Sequence, residues 1–208
     1  MTIKDSYNSW AENYDAMENK TRDLEKTAIR KTLKNFKFEY VIELGCGTGK
    51  NTKWLAERSE HLIAVDFSEK MLSRAKKKIK SNKVNYLQYD LTKPWKIKSN
   101  FADLISCSLV LEHIYNLNFL FREARKKLKT NGIFYICELH PFKQYQGSKA
   151  RYETENGTVE LEVFVHNISE YIESALKNGF ELLELNEWFD NSDEIKPPRL
   201  ISFVFKKL

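Results

Sequence analysis

From Tyr40 onward, short apolar runs alternate with stretches of helical periodicity. "YVIEL" (40–44), "HLIAVDF" (61–67), "KVNYLQYDL" (83–91), "FADLISCSLVL" (101–111) and "IFYICELH" (133–140) each read as a strand. A helix is expected after the first of them, through about Glu57. Ser68 is a natural N-cap before "EKMLSRAKKKIK" (69–80), and "LNFLFREARKKLK" (117–129) is a helix expected to break at Asn131-Gly132. "NISEYIESALKNGF" (167–180) is a further helix with Gly179 at its end, followed by two late strands, "ELLELNEWF" (181–189) and "LISFVFKKL" (200–208). Strands alternating with helices imply parallel βαβ units. The expected fold is therefore α/β, a doubly wound, mostly parallel seven-stranded sheet with helices on both faces.

One segment departs from this alternation. "RYETENGTVELEVFVH" (151–166) carries Asn156-Gly157, a strong hairpin signal. On a return strand, Val159, Leu161, Val163 and Val165 would share one face, and Glu160, Glu162, Phe164 and His166 the other. A hairpin here is an insertion (141–167) between the fifth strand and the last helix, on the side where such sheets bind ligands.

The chain has 208 residues, enough for one domain with a substantial core and short for two. It is 42% hydrophobic and 30% charged, with no apolar run long enough to span a membrane. The first residues lack the apolar core of a signal peptide. Cys46, Cys107 and Cys137 are scattered, with no CxxC, so neither a disulfide scaffold, a zinc site nor any other metal is expected, and a cytoplasmic location fits. The net charge of +5 comes largely from 73–83 and 122–129, which read as the solvated faces of amphipathic helices rather than a nucleic-acid footprint.

The densest chemical signal is "VIELGCGTGKNT" (41–52), where Gly45, Gly47 and Gly49 alternate after a strand. A phosphate-binding P-loop needs GxxxxGK[ST], but Leu44 stands where its first glycine belongs and Asn51 follows Lys50. A dinucleotide turn needs GxGxxG, and position 50 is lysine. The spacing is GxGxG, which leaves a ligand with an amino-acid tail and no phosphate.

"ELGCGTG" resembles the first motif of class I S-adenosylmethionine-dependent methyltransferases. Asp66 ends the second strand, where that family places an acid on the ribose hydroxyls, and "YDLTKPW" (89–95) matches the segment whose acid meets the adenine amine. "FADLISCSLVLEHI" (101–114) is similar to the fourth motif of the small-molecule branch that includes ubiquinone and menaquinone methyltransferases, and "LKTNGIFYI" to the family's entry into the fifth strand. The resemblance implies a Rossmann-like fold, S-adenosylmethionine as cofactor and S-adenosylhomocysteine as product. It implies cofactor contacts from Tyr14, Glu43, Gly45, Cys46, Gly47, Gly49, Asp66, Phe67, Asp90, Leu91, Cys107 and Ser108. "YNSWAENYD" (7–15) resembles the N-terminal helix that closes over the cofactor, within a helical cap over 1–36.

Methyl transfer mainly needs a nucleophile aligned with the methyl, and a general base only for a protonated acceptor. His113, Glu138, His140 and His166 fall near strand ends or the insertion, with Tyr145 and Tyr152 flanking them. The three histidines are the expected substrate-side catalytic candidates. The short lid suits a small or medium-sized acceptor, at oxygen, nitrogen or carbon. Two other readings stand beside this one: methylation of RNA or protein through the lysine-rich helices, and cofactor binding without turnover.

Overall fold

The computed structural model describes residues 2–154, 157–190 and 196–208. Its main sheet has seven strands: β1 (Tyr40–Leu44), β2 (His61–Asp66), β3 (Val84–Gln88), β4 (Ala102–Ser108), β5 (Leu128–Leu139), β8 (Phe180–Trp188) and β9 (Leu200–Lys207). Their order is β3-β2-β1-β4-β5-β9-β8. The five strands from β3 to β5 pair in parallel, and β9 runs antiparallel to both β5 and β8. Chain direction across the sheet reverses at β1, which pairs with β2 on one side and β4 on the other. Such a reversal opens a crevice at the carboxyl ends of the strands.

Helices cover both faces because alternate strand residues point to opposite sides. Val41 packs with Ala28 and Ile29 of α2 (Lys20–Thr32), with Leu33 at its C-cap, and with Leu55 of α3 (Thr52–Glu57). Ile42 and Leu44 belong to the opposite core, with Phe121 of α5 (Leu117–Lys127) and Tyr171 of α7 (Ile168–Lys177). Leu72 of α4 (Glu69–Lys78) packs on Ala64 and Cys46. Ser68 caps α4 by accepting from the Met71 N–H at 3.1 Å, as its position in the sequence implies.

Asn131-Gly132 does not end α5. The helix stops at Lys127, and the next residue, Leu128, is extended, fully buried and paired with Ala102. The pairing resumes at Leu104 and Ile133 after a register shift, so Asn131-Gly132 forms an irregularity inside β5. Burial of Leu128 in the core overrides the breaker signal that follows it.

The insertion holds α6 (Pro141–Tyr145) and a separate pair, β6 (Arg151–Thr154) and β7 (Gly157–Glu160). The expected turn falls partly on Asn156, outside the described residues; Gly157 has φ +109° and pairs with Thr154. The return strand is shorter than its alternation implies. It ends at Glu160, and Leu161 to Asn167 run without strand pairing. The Phe164 N–H instead donates to the Glu112 carbonyl at 2.7 Å, which draws the segment down onto the main body.

At the other end of the chain, α1 (Ile3–Trp10) lies over the same edge of the sheet. Ser68 donates to Asn8 Oδ1 at 2.7 Å, and Thr48 donates to Asp15 Oδ1 at 2.6 Å. Trp10 stacks on Tyr152 of the hairpin at 5.1 Å and 16°, so the first and the inserted segments form one cover.

Candidate active site

Under this cover, at the carboxyl ends of β1, β2 and β4, is a cavity of about 820 Å³, in the range of small-molecule sites. Its floor is the loop after β1, with Glu43, Gly45, Cys46 and Gly47 on its wall. Gly47 has φ +53°, and a Cβ built on it meets no protein atom within 4 Å. Its bare face is turned to open space, where a ligand can lie directly on the backbone. Gly49 differs. A Cβ there would strike Ile79 Cδ1 at 2.5 Å, and Gly49 does not line the cavity, so it serves packing of the loop on α4 and its expected cofactor contact is withdrawn.

Asp66 is 6% exposed and lines the cavity. One carboxylate oxygen accepts from the Gly47 N–H and the other from the Ser68 N–H, both at 2.8 Å. Each oxygen keeps acceptor capacity toward the cavity. Burial pushes its pKa up to about 6, against those backbone hydrogen bonds.

Asp90 and Leu91 stand at the opposite end. Asp90 Oδ1 accepts from the Thr92 N–H and hydroxyl, at 2.9 and 2.6 Å. Among the described residues the Leu91 N–H has no protein acceptor. An acceptor and a donor on adjacent residues suit the edge of an adenine ring. Phe67 is half-buried and lines the same end.

Near the glycine loop the cavity is strongly charged. Glu43 accepts from the Thr52 hydroxyl at 2.6 Å, and burial, with Glu25 and Asp66 nearby, pushes its pKa up to about 8. Glu25 accepts from Asn51 Nδ2 with both oxygens at 3.0 Å. Lys50 Nζ is buried without a hydrogen-bond partner, and burial pulls its pKa down to about 8. The hydroxyls of Ser106 and Ser108 are likewise buried and unpartnered. Unsatisfied buried groups of both polarities gathered on one cavity wall call for a polar, zwitterionic ligand. The residues present therefore fit the amino-acid tail, ribose and base of S-adenosylmethionine.

Cys107 does not join them. Strand alternation turns Ser106 and Ser108 to the cavity and Cys107 into the core beside Ile105 and Ile136. Tyr14 lines the cavity, but the Arg22 guanidinium already lies 4.2 Å from its ring centroid. Arg22 also donates to the carbonyls of Tyr14 and Met17, at 2.5 and 2.7 Å.

The three histidines separate. His113 lines the cavity; its Nε2 is 2.9 Å from the Tyr7 hydroxyl and its Nδ1 3.2 Å from the Glu162 carbonyl. Both contacts are made at once when Nδ1 carries the proton, so Tyr7 donates to Nε2. Burial lowers the pKa of His113, favouring this neutral form. His140 is fully buried, sits 3.0 Å from Glu187 and caps α6 by accepting from the Phe142 N–H. His166 donates to the Ile114 carbonyl at 2.9 Å. Neither lines the cavity, and both are withdrawn as substrate-side candidates: their hydrogen bonds fix loops. Glu138 is also structural, accepting from the N–H groups of Val110 and Leu111 at 3.0 and 3.1 Å. Tyr145 is exposed and donates to Asn167 Oδ1.

A second cavity of about 570 Å³ abuts the first, with Tyr7, Tyr14, Arg22 and Leu109 lining both. Tyr152 and Glu112 line the second alone. Tyr7, Lys50, Ser106 and Glu112 escaped the sequence reading. Two signals were present: Tyr7 is one helical turn before Trp10, and Ser106 precedes Ser108 by two on a strand.

Residues 42–136 match the family model described as "Methyltransferase domain". The ubiquinone biosynthesis O-methyltransferase of Pelagibacter ubique (strain HTCC1062) is 28% identical over 200 residues, 91% of this chain and 81% of that protein. Other curated relatives are longer, and the chain spans 54% to 62% of three of them. Among solved structures, a putative S-adenosylmethionine-dependent methyltransferase from Listeria monocytogenes superposes with a TM-score of 0.78 at 24% identity, covering 89% of this chain and 99% of that one. The N-methyltransferase NodS from Bradyrhizobium japonicum WM9, in complex with S-adenosyl-L-homocysteine, does so with a TM-score of 0.75 at 16% identity, covering 100% and 99%. Motif order, strand order and these matches agree: residues 42–136 match a methyltransferase domain, on the Rossmann-like fold that S-adenosylmethionine-dependent methyltransferases share.

Proposed function

We propose that this protein moves a methyl group from S-adenosylmethionine to an oxygen, nitrogen or carbon of a small or medium-sized acceptor. The observation that carries this reading is the larger cavity, where Gly47, Asp66 and the Asp90-Leu91 pair stand in the order tail, ribose, base. Lys50 and Arg22 are placed for the tail carboxylate, and Glu43 and Glu25 for its ammonium. Asp66 takes the ribose hydroxyls, Asp90 and the Leu91 N–H the adenine edge, and Phe67 one face of the ring. When bound, the cofactor supplies a methyl group on a positively charged sulfur that leaves as a neutral thioether. The chain's task is then to hold an acceptor in line and keep water out, which α1 and the hairpin do from above.

The small size of both cavities supports a small-molecule acceptor, and the relatives' names point the same way. The lysine-rich helices offer little to RNA: Lys78 pairs with Asp15, Lys126 with Glu123, and Lys127 donates to the Ile97 carbonyl. Among the described residues no helix is long and apolar enough to cross a membrane. The three cysteines are buried and unbridged, which supports a reducing, cytoplasmic setting. The test is turnover: the protein with S-adenosylmethionine and a panel of phenols, amines and acids, read as S-adenosylhomocysteine formed. Product with a small acceptor is the expected result. Product with RNA or protein alone would move the assignment to the other readings.

A further inference from the structure

We infer that the second cavity is the acceptor chamber, and that it takes a flat, aromatic molecule with an O–H or N–H nucleophile on Glu112 and a negative charge toward Lys20 and Arg151. The inference rests on the cofactor reading above.

Position comes first. Tyr7, Tyr14, Arg22 and Leu109 line both cavities, so a methyl group passing from one to the other passes among these side chains. An acceptor in the second chamber approaches from the side opposite the cofactor, as in-line displacement requires. The chamber is aromatic on its outer side, where Trp10 lies flat on Tyr152 at 5.1 Å. Aromatic side chains on the wall favour an aromatic guest.

Glu112 supplies the polar contact. It lines this chamber and not the other and is 8% exposed; its Oε2 makes no hydrogen bond of ordinary geometry, and the Gln144 side chain favours its charge only in part. Its Oε1 is 4.0 Å from His113 Nε2, beside the Tyr7 hydroxyl. A carboxylate held so poorly solvated seeks a donor, and an O–H or N–H of the acceptor is one. Burial pushes its pKa up to about 7, so near neutral pH it is ionised in part and takes a proton readily. The nucleophile's lone pair forms the bond to the methyl carbon. The carbon–sulfur bond breaks with its electrons kept by sulfur, and the nucleophile's proton passes to Glu112.

Charge sets the rest. Lys149 and Arg199, on the chamber wall, are paired with Glu160 and Asp190. Lys20 and Arg151 have no ion-pair partner among the described residues. Lys20 also begins α2, a helix of 13 residues whose first turn opens onto the chamber and adds positive potential.

The experiment is calorimetry on the whole protein saturated with S-adenosylhomocysteine. Three probes share one phenol and differ in charge: 4-hydroxybenzoate, 4-hydroxybenzamide and 4-hydroxybenzylamine. We expect the benzoate to bind roughly tenfold more tightly than the other two, the scale of two partly exposed charge contacts. K20E/R151E should abolish that preference, and E112Q should weaken all three probes while leaving S-adenosylhomocysteine affinity unchanged. Equal binding of the probes, no binding of the benzoate, or a preference unmoved by the variants overturns the inference. Failure of S-adenosylhomocysteine to bind at the outset overturns the cofactor reading instead.

Discussion

Asp66 combines two duties in one carboxylate. It accepts from Gly47 and Ser68, and so ties the glycine loop to the start of α4, while its remaining lone pairs face the cavity. Losing its charge should cost a contact of roughly 1.5–3 kcal/mol, so Asp66→Asn should weaken S-adenosylhomocysteine binding about 10- to 150-fold by calorimetry, with circular dichroism unchanged. The pH dependence has a definite sign. Its pKa is raised to about 6, so the acceptor charge is lost as pH falls through that value. Wild-type affinity should drop below pH 6, and Asp66→Asn should flatten that drop; a parallel slope in both proteins would place the titrating group elsewhere. The place of Asp66 on the cavity wall was legible because a family motif and a strand end coincide on it. Lys50 and Glu112 were not, because their significance is a buried polar atom with no hydrogen bond of ordinary geometry, which only a packed interior reveals. His140 and His166 were misread because nearness to strand ends does not fix where a side chain points.

At the scale of elements, strands and helices from Tyr40 onward followed from apolar periodicity and cap signals, since each buries a regular face, whereas α2 was covered only by the cap that the resemblance implies over 1–36. The cover did not. Its second strand stops at Glu160 although alternation continues to His166, because Phe164 hydrogen-bonds Glu112 instead of a strand partner. This cover is held by a small cluster of its own, Trp10, Tyr152 and Leu161, separate from the main cores. Trp10→Ala should therefore loosen it locally, since truncating a large buried aromatic costs about 3–5 kcal/mol. Hydrogen exchange should rise in α1 and β6–β7 and stay unchanged in β1, β4 and β5. Uniformly faster exchange across the sheet would mean that cover and frame unfold as one unit.

Across the whole molecule, burial holds several carboxyls in their protonated form. Glu43 and Glu138 are raised to about 8 and Glu112 to about 7, from 4.5. Between pH 6.5 and 8 the folded chain binds protons that the unfolded chain has released, so stability falls as pH rises, on the order of 1 kcal/mol per pH unit for each fully protonated group. His113 and His140, lowered from 6.5, act below that window, and Lys50, lowered to about 8, opposes the trend only above it. The melting temperature should be several degrees lower at pH 8 than at pH 6.5; a flat or rising value would show that these carboxyls are ionised when folded. All of these groups but Glu138 and His140 line one cavity or the other, so their cost is tied to what the cavities hold. The most direct measurement is a calorimetric titration of the protein with S-adenosylhomocysteine and, separately, with NAD. Micromolar binding of the first, about −8 kcal/mol, with none of the second is the expected result. Binding of NAD with no response to S-adenosylhomocysteine would contradict the account.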